Sequence, residues 1–170
     1  MGFTKKLVGT GIATAVTATI GTLATDPDTA WYKTRRKPDW QPPNEVFPVA
    51  WTALYATIAG ATAKVFADLD KHEDRALTNA RRDEIQKERS AFKRSLGLNL
   101  ALNAGWSILF WQGRNATVTA VESTALAVSS ACLARRAGKV STGAGLALVP
   151  YAAWTTFAAA LTGKIAQLNE

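Results

Sequence analysis

Charge is missing from most of this sequence and crowded into the remainder, and that segregation constrains the fold more than any motif does. The stretches 7–24, 46–63, 95–113, 115–134 and 140–163 contain one charged residue, Glu122, in a chain with 20 Lys and Arg and 13 Asp and Glu. A helix that packs one face on a soluble core carries charged or polar residues along the other. These five have no such face. Each is close to the ~20 residues that take an α-helix across the hydrocarbon core of a bilayer, where backbone groups must be paired inside the segment. The expected fold is all-α, a five-transmembrane-helix bundle forming a single integral membrane domain over residues 1–170. Its helices are expected at about 7–24, 46–66, 95–113, 115–134 and 140–165, with an outer lid loop at 25–45 and a charged cytoplasmic connection at 67–94.

The apolar stretches are rich in Gly, Ala, Ser and Thr, as in GTGIATAVTATIG and STGAGLALVPYAAW. Small residues suit a membrane span because close backbone approach supplies the packing, and a threonine hydroxyl can bond a carbonyl one turn back. The first stretch follows Lys5 and Lys6 and is expected to be retained as a helix, since no small-residue cleavage pattern follows it. Counting Lys and Arg on alternate sides gives 13 on the side of the N-terminus, the 67–94 connection and the 135–139 turn, with Lys64 at a helix end on that same side, against 6 on the other. The positive-inside rule then puts the N-terminus in the cytoplasm and the lid loop and C-terminus outside. The net charge of +7 is thereby a topology signal. It does not point to nucleic acid, because the basic residues of the long connection are interleaved with acids.

That connection reads as a polar extension of the helices on either side, with Leu77, Ile85 and Phe92 on one arc and Asp83–Lys87 as an i,i+4 pair. The single histidine, His72, lies there, and Cys132 is the one cysteine. No metal-ligand cluster, nucleophile triad or phosphate-binding glycine loop is visible, so neither a metal site nor a required cofactor is expected.

Aromatic and amide residues inside the spans are more informative. Phe47, Trp51 and Tyr55 recur at i, i+4 and i+8 and share a face. In the third stretch, Gly97, Ala101 and Gly105 form a small ridge suited either to internal packing or to a homodimer seam, while Asn99, Asn103, Trp106 and Phe110 lie on the opposite face. In the fifth, Pro150, Trp154, Phe157, Ala158 and Leu161 share an arc. Glu122, mid-span, must face inward or find a partner. Flat aromatics, amides and one carboxyl converging in a bundle describe either ordinary packing or a pocket for a large planar apolar molecule. Trp40 and Trp111 read as interfacial anchors. The rigid segment 31–51, with four prolines and three tryptophans, reads as a preorganised cover for such a pocket, because proline fixes φ and limits the entropy lost on ordering. Asn44 is a possible cap for the helix that follows.

Four blocks of this sequence resemble the TspO/translocator protein family, also called the tryptophan-rich sensory or peripheral benzodiazepine receptor family. They are WY at 31–32 with KP at 37–38 and W-x-PP at 40–43; F-x3-W-x2-LY from Phe47 to Tyr55; LNLALNAGWSILF; and VPYAAWTTFAAAL, with Asn169 near the end. They fall in order over most of the chain. The resemblance implies a five-helix bundle whose pocket opens toward the first loop and takes porphyrins, sterols or benzodiazepine-type drugs. It implies that Trp31 and Tyr32 belong to a lid, that Trp51, Asn103, Trp106, Trp154 and Ala158 line the pocket, and that Glu122 stands where the family has an acidic residue. Joined to the helix faces, this gives the expected ligand-binding set Trp31, Tyr32, Trp51, Tyr55, Asn103, Trp106, Phe110, Glu122, Trp154, Phe157 and Ala158. Where the family has Leu-Asn-Tyr in the last helix, this chain has Leu161, Thr162 and Gly163, so the sterol-recognition pattern lacks its tyrosine. The expected function is a receptor or transporter binding tetrapyrroles (porphyrin, possibly haem) in the bundle. The alternatives are light- and oxygen-dependent porphyrin degradation involving Trp31 and Trp154, or a helical interaction protein. Expected partners are the lipid bilayer, a porphyrin-like small molecule and a second copy of the chain.

Overall fold

A computed structural model describes residues 2–169. Every regular element among them is helical: α1 (Phe3–Ala24), α2 (Ala30–Lys33), α3 (Val46–Asp74), α4 (Asn79–Trp111), α5 (Ala116–Val140), α6 (Thr142–Ala147) and α7 (Val149–Leu168). Four units are long and apolar enough to cross a membrane: α1, α3, α5 and the α6–α7 pair. The uncharged stretch 95–113 falls in the second half of α4, and its two asparagines, Gly, Ser and Trp residues dilute its apolar character.

Helix ends follow local chemistry. Thr78 caps α4, its Oγ1 accepting from the Arg81 amide at 3.2 Å, and Asn115 caps α5, its Oδ1 accepting from the Val118 amide at 3.0 Å. Arg114, just before that cap, turns the chain with φ 53°. The expected fifth helix is interrupted at Leu148. Pro150 explains the break, since it has no N–H and its ring presses on the carbonyl one turn earlier. Asn44 does not cap α3; its Oδ1 accepts from the Tyr32 hydroxyl at 3.4 Å, and Glu45 occupies the N-cap without a side-chain bond.

α1 packs on α3 and α4, α4 on α5, and α5 on α7, with α6 filling the corner between α5 and α3. The inside-out character of α1 is the clearest physical sign of the solvent. It buries Thr10, Thr14 and Thr17 and exposes Val8, Ile12 and Val16. In water that arrangement wastes apolar surface, whereas in lipid it satisfies both sides. The Thr10 hydroxyl bonds the Ala59 carbonyl of α3 at 2.8 Å, and the other two bond carbonyls of their own helix. At the end away from the lid, Asp70 of α3 joins Lys6 of α1 at 3.0 Å and Arg89 of α4, and Arg89 also bonds Glu73 at 2.8 Å.

The 67–94 segment is the continuation of α3 and α4, broken by a turn. Ile85 and Phe92 are buried, but Leu77 lies in that turn and is 98% exposed, so the arc proposed for all three holds only for the helical pair. In the first turns of α4 the ion pair is Arg81–Glu84 at 2.8 Å, an i,i+3 contact, and the expected Asp83–Lys87 pair does not form among the described residues.

Candidate functional site

A cavity of about 400 Å³ lies between α1, α3, α4 and α7 at the lid end of the bundle. Its ring systems form two groups. In one, Trp51 leans on Tyr55 at 5.5 Å and meets Trp154 edge-on at 6.5 Å, while Phe47 meets Trp154 at 5.8 Å. In the other, Trp106 stacks on Phe110 at 5.4 Å and 11°, and Tyr32 and Trp111 meet at 4.7 Å. Both groups border the cavity. Their placement follows from spacing: side chains four apart on α3, on α4 and on α7 stand one above another.

One end of the cavity is polar and internally satisfied. The Tyr55 hydroxyl donates to Asn103 Oδ1 at 2.6 Å, Asn103 Nδ2 donates to the Tyr151 hydroxyl at 3.2 Å, and that hydroxyl donates to Asn99 Oδ1 at 2.8 Å. Asn99 Nδ2 donates onward to Ser130 Oγ at 3.0 Å, and Ser130 donates to the Leu126 carbonyl at 2.8 Å. Four helices are crossed by one chain of bonds running in one direction, an arrangement that strengthens each link. It also explains how two asparagines are tolerated mid-bundle: each amide has its partners.

The segment after α1 forms the other end. Thr29 caps α2, its Oγ1 accepting from the Tyr32 amide at 3.3 Å. The Tyr32 ring is buried, with Lys37 Nζ 3.8 Å from its centroid. Its hydroxyl accepts from Gln41 Nε2 at 3.1 Å and donates to Asn44. Burial pushes the Tyr32 phenol above its ordinary pKa, with the Gln41 bond acting against that, so the phenol is neutral and a donor at physiological pH. Three cavity-lining groups keep a polar atom buried without a partner among the described residues: Trp106 Nε1, Trp111 Nε1 and Trp154 Nε1, with Gln41 Oε1 as an unpaired acceptor beside them.

Of the expected ligand-binding residues, Tyr32, Trp51, Tyr55, Asn103, Trp106, Phe110, Trp154 and Ala158 border the cavity. Trp31, Phe157 and Glu122 stand outside that lining. Trp31 packs edge-on against Phe110 at 5.5 Å, and Phe157 sits between Trp40 and Trp154. Glu122 is on α5, which packs behind α4 and α7; its carboxylate approaches Gly105, and both oxygens are buried without a hydrogen-bond partner. Pro150 is exposed although it shares an arc with Trp154. Gly97 and Ala101 are exposed and Gly105 half-buried.

Several lining residues escaped the sequence reading. Thr162 and Ile165 continue the Ala158 face at i+4 and i+7, so helical spacing carried that signal. Trp111, expected as an interfacial anchor, lines the cavity against Tyr32, and an aromatic at a helix end gives no local sign of which way it turns. Gly21 of α1 is a packing feature: a Cβ there would stand 3.3 Å from Ser107 Oγ and 3.8 Å from the Tyr55 hydroxyl. No group of three His, Cys, Asp or Glu side chains that could hold a metal occurs among the described residues.

The TspO/MBR family model matches residues 10–168. The chain is 31% identical to a protein named tryptophan-rich protein TspO from Chlorobaculum tepidum, over 94% of this chain and 92% of that one. It is 33% identical to the tryptophan-rich sensory protein of Cereibacter sphaeroides, over 89% and 84% of the two chains. With the translocator protein of Ovis aries it shares 28% identity over 82% of this chain and 75% of that one.

Proposed function

Because this chain belongs to the TspO/MBR family of multi-pass membrane proteins, we propose that it is a receptor or transporter that binds a tetrapyrrole in the cavity beneath its lid. The carrying observation is that cavity, about 400 Å³ and bordered by two separate groups of aromatic rings. A planar macrocycle gains from dispersion and stacking on such walls. The unpaired indole N–H groups of Trp106 and Trp154 would supply donors to carboxylate or carbonyl oxygens on the ligand. The ligand-binding set becomes Tyr32, Trp51, Tyr55, Asn103, Trp106, Phe110, Trp154 and Ala158, with Trp31 acting through Phe110. The cavity lining holds no His, Cys or Met that could ligate iron, so metal-free porphyrin binds at least as well as haem.

In this reading α4 supplies the fifth span, its asparagines masked by the hydrogen-bond chain. The N-terminus and the 67–94 connection face the cytoplasm, and the lid and C-terminus face outward. The exposed Gly97–Ala101 ridge is available to a second copy. Titrating porphyrin against purified protein in detergent tests the assignment: saturable quenching of tryptophan fluorescence supports it, and affinity unchanged by Trp51→Ala overturns it. Degradation in light is a second reading only for Trp154, whose ring borders the cavity. Light-dependent loss of porphyrin absorbance that disappears in Trp154→Phe would favour it.

A further inference from the structure

A second recess lies on the outer surface, remote from the aromatic cavity. It is a furrow of about 390 Å³ between the last turns of α5 and the start of α6 and α7. Its floor is Ala134, Gly138, Gly145 and Ala152, with no side chain larger than a methyl group. The depth comes from the two glycines, whose backbones meet: a Cβ on Gly145 would stand 2.5 Å from Gly138 Cα. Leu146 and Val149 rise beside it, 66% and 52% exposed, on a face that the apolar spans turn toward lipid.

One charged residue borders this furrow, Arg135. It is the first charge after the apolar stretch 115–134 apart from Glu122, which places it where a span leaves the hydrocarbon. Ala131, one turn earlier, and Ala152 continue the furrow toward the membrane interior. Arg135, Arg136 and Lys139 form no ion pair among the described residues. Asp68 of α3, which reaches Ser141 in the adjoining turn, is held by Lys64 at 2.7 Å and Lys71 at 3.2 Å.

We propose that this furrow binds an anionic phospholipid, with an acyl chain along the small-residue floor and the phosphate on Arg135. The recess is apolar where a chain would run and cationic where a headgroup would lie. Guanidinium offers phosphate a forked pair of donors, and basic recesses between membrane helices favour anionic headgroups. A zwitterionic lipid would bring its own ammonium toward Arg135, the one charged residue at the furrow, so charge selects the anionic one.

Delipidated protein in a neutral detergent is given phosphatidylglycerol or phosphatidylcholine with identical chains, and bound lipid is counted by native mass spectrometry alongside thermal unfolding. Phosphatidylglycerol is expected to bind about fivefold better, the worth of one cation near an anionic surface. Arg135→Gln removes that preference, whereas Lys87→Gln, on the charged connection, retains it. Ala131→Leu, at an exposed position, fills the furrow and weakens both lipids while circular dichroism and gel filtration stay unchanged. Equal binding of the two lipids, or a preference that survives Arg135→Gln, overturns the proposal. So does lipid binding indifferent to Ala131→Leu, or a thermal shift matched by glycerol phosphate, which carries the headgroup charge without a chain.

Discussion

Asn169, the residue after the last helix, is stapled to the backbone of Arg36 in the lid: its Nδ2 donates to the Arg36 carbonyl and its Oδ1 accepts from the Arg36 amide, both at 2.9 Å. The same Nδ2 reaches the Ile165 carbonyl at 2.8 Å, so the latch is anchored on the helix that carries Trp154. Lifting the lid at this point breaks both bonds to Arg36. At about 1 kcal/mol each, Asn169→Leu is expected to speed ligand dissociation roughly tenfold or more, with little change in melting temperature. Stopped-flow displacement of bound porphyrin measures it, and an unchanged off-rate would remove the latch from the mechanism.

Trp51→Ala removes a ring that touches both Tyr55 and Trp154 at the cavity edge. Stacking of a flat ring on one aromatic side chain is worth about 1–3 kcal/mol, so porphyrin affinity should fall roughly five- to a hundredfold. Trp40→Ala, half-exposed and outside the lining, should leave affinity nearly unchanged. Fluorescence titrations of the two variants side by side decide the matter.

Tyr151→Phe cuts the hydrogen-bond chain at its centre, leaving Asn99 Oδ1 without its donor and Asn103 Nδ2 without its acceptor. Orphaning buried polar groups costs about 1–3 kcal/mol, although membrane proteins often lose less because the freed groups find other partners. A lower melting temperature in detergent is expected. In a double-mutant cycle with Asn99→Leu, the two losses should be less than additive.

Glycine positions provide a paired test of the α5–α6 contact. At Gly145 an added methyl meets the Gly138 backbone at 2.5–2.7 Å and the Ala134 carbonyl at 3.1 Å, but at Gly138 it meets Gly145 Cα at an ordinary 3.8 Å. Gly145→Ala should destabilise by about 1–3 kcal/mol or more, as overpacking does. Gly138→Ala should be neutral or slightly stabilising, since alanine is the better helix former. Thermal melts that rank the two variants the other way would contradict this packing.

Glu122→Leu separates the carboxyl from the cavity. Its oxygens are buried and unpaired beside Gly105, away from the lining. Replacing an uncompensated buried carboxyl with an apolar group of similar size should raise thermal stability. Porphyrin affinity should not change, and a large loss of binding would return Glu122 to the site.

The bundle was legible because charge segregation and helical spacing are local properties of the chain. Four of the five apolar blocks fall in helices long and apolar enough to cross a bilayer, whatever they pack against, while 95–113 became the second half of the longer α4; spacing by four puts Phe47, Trp51 and Tyr55 on one side of α3 without reference to any neighbour. The ordering of α2 by Thr29, the break before Pro150 and the caps at Thr78 and Asn115 also depend on a few adjacent residues, yet the expectation from sequence is a loop at 25–45 and an unbroken helix at 140–165. Which helix faces meet is a different kind of fact. Glu122 and Trp154 both look inward when each helix is read alone, yet α5 stacks behind its neighbours while α7 borders the cavity, so only the tryptophan reaches it. Trp111 turned into the cavity because Tyr32, far away in sequence, offered a ring to pack on, and Asn169 found Arg36 across the whole chain. Periodicity tells which residues share a side, but the rotation of each helix is set by the packing of all of them together, and that belongs to the tertiary structure alone.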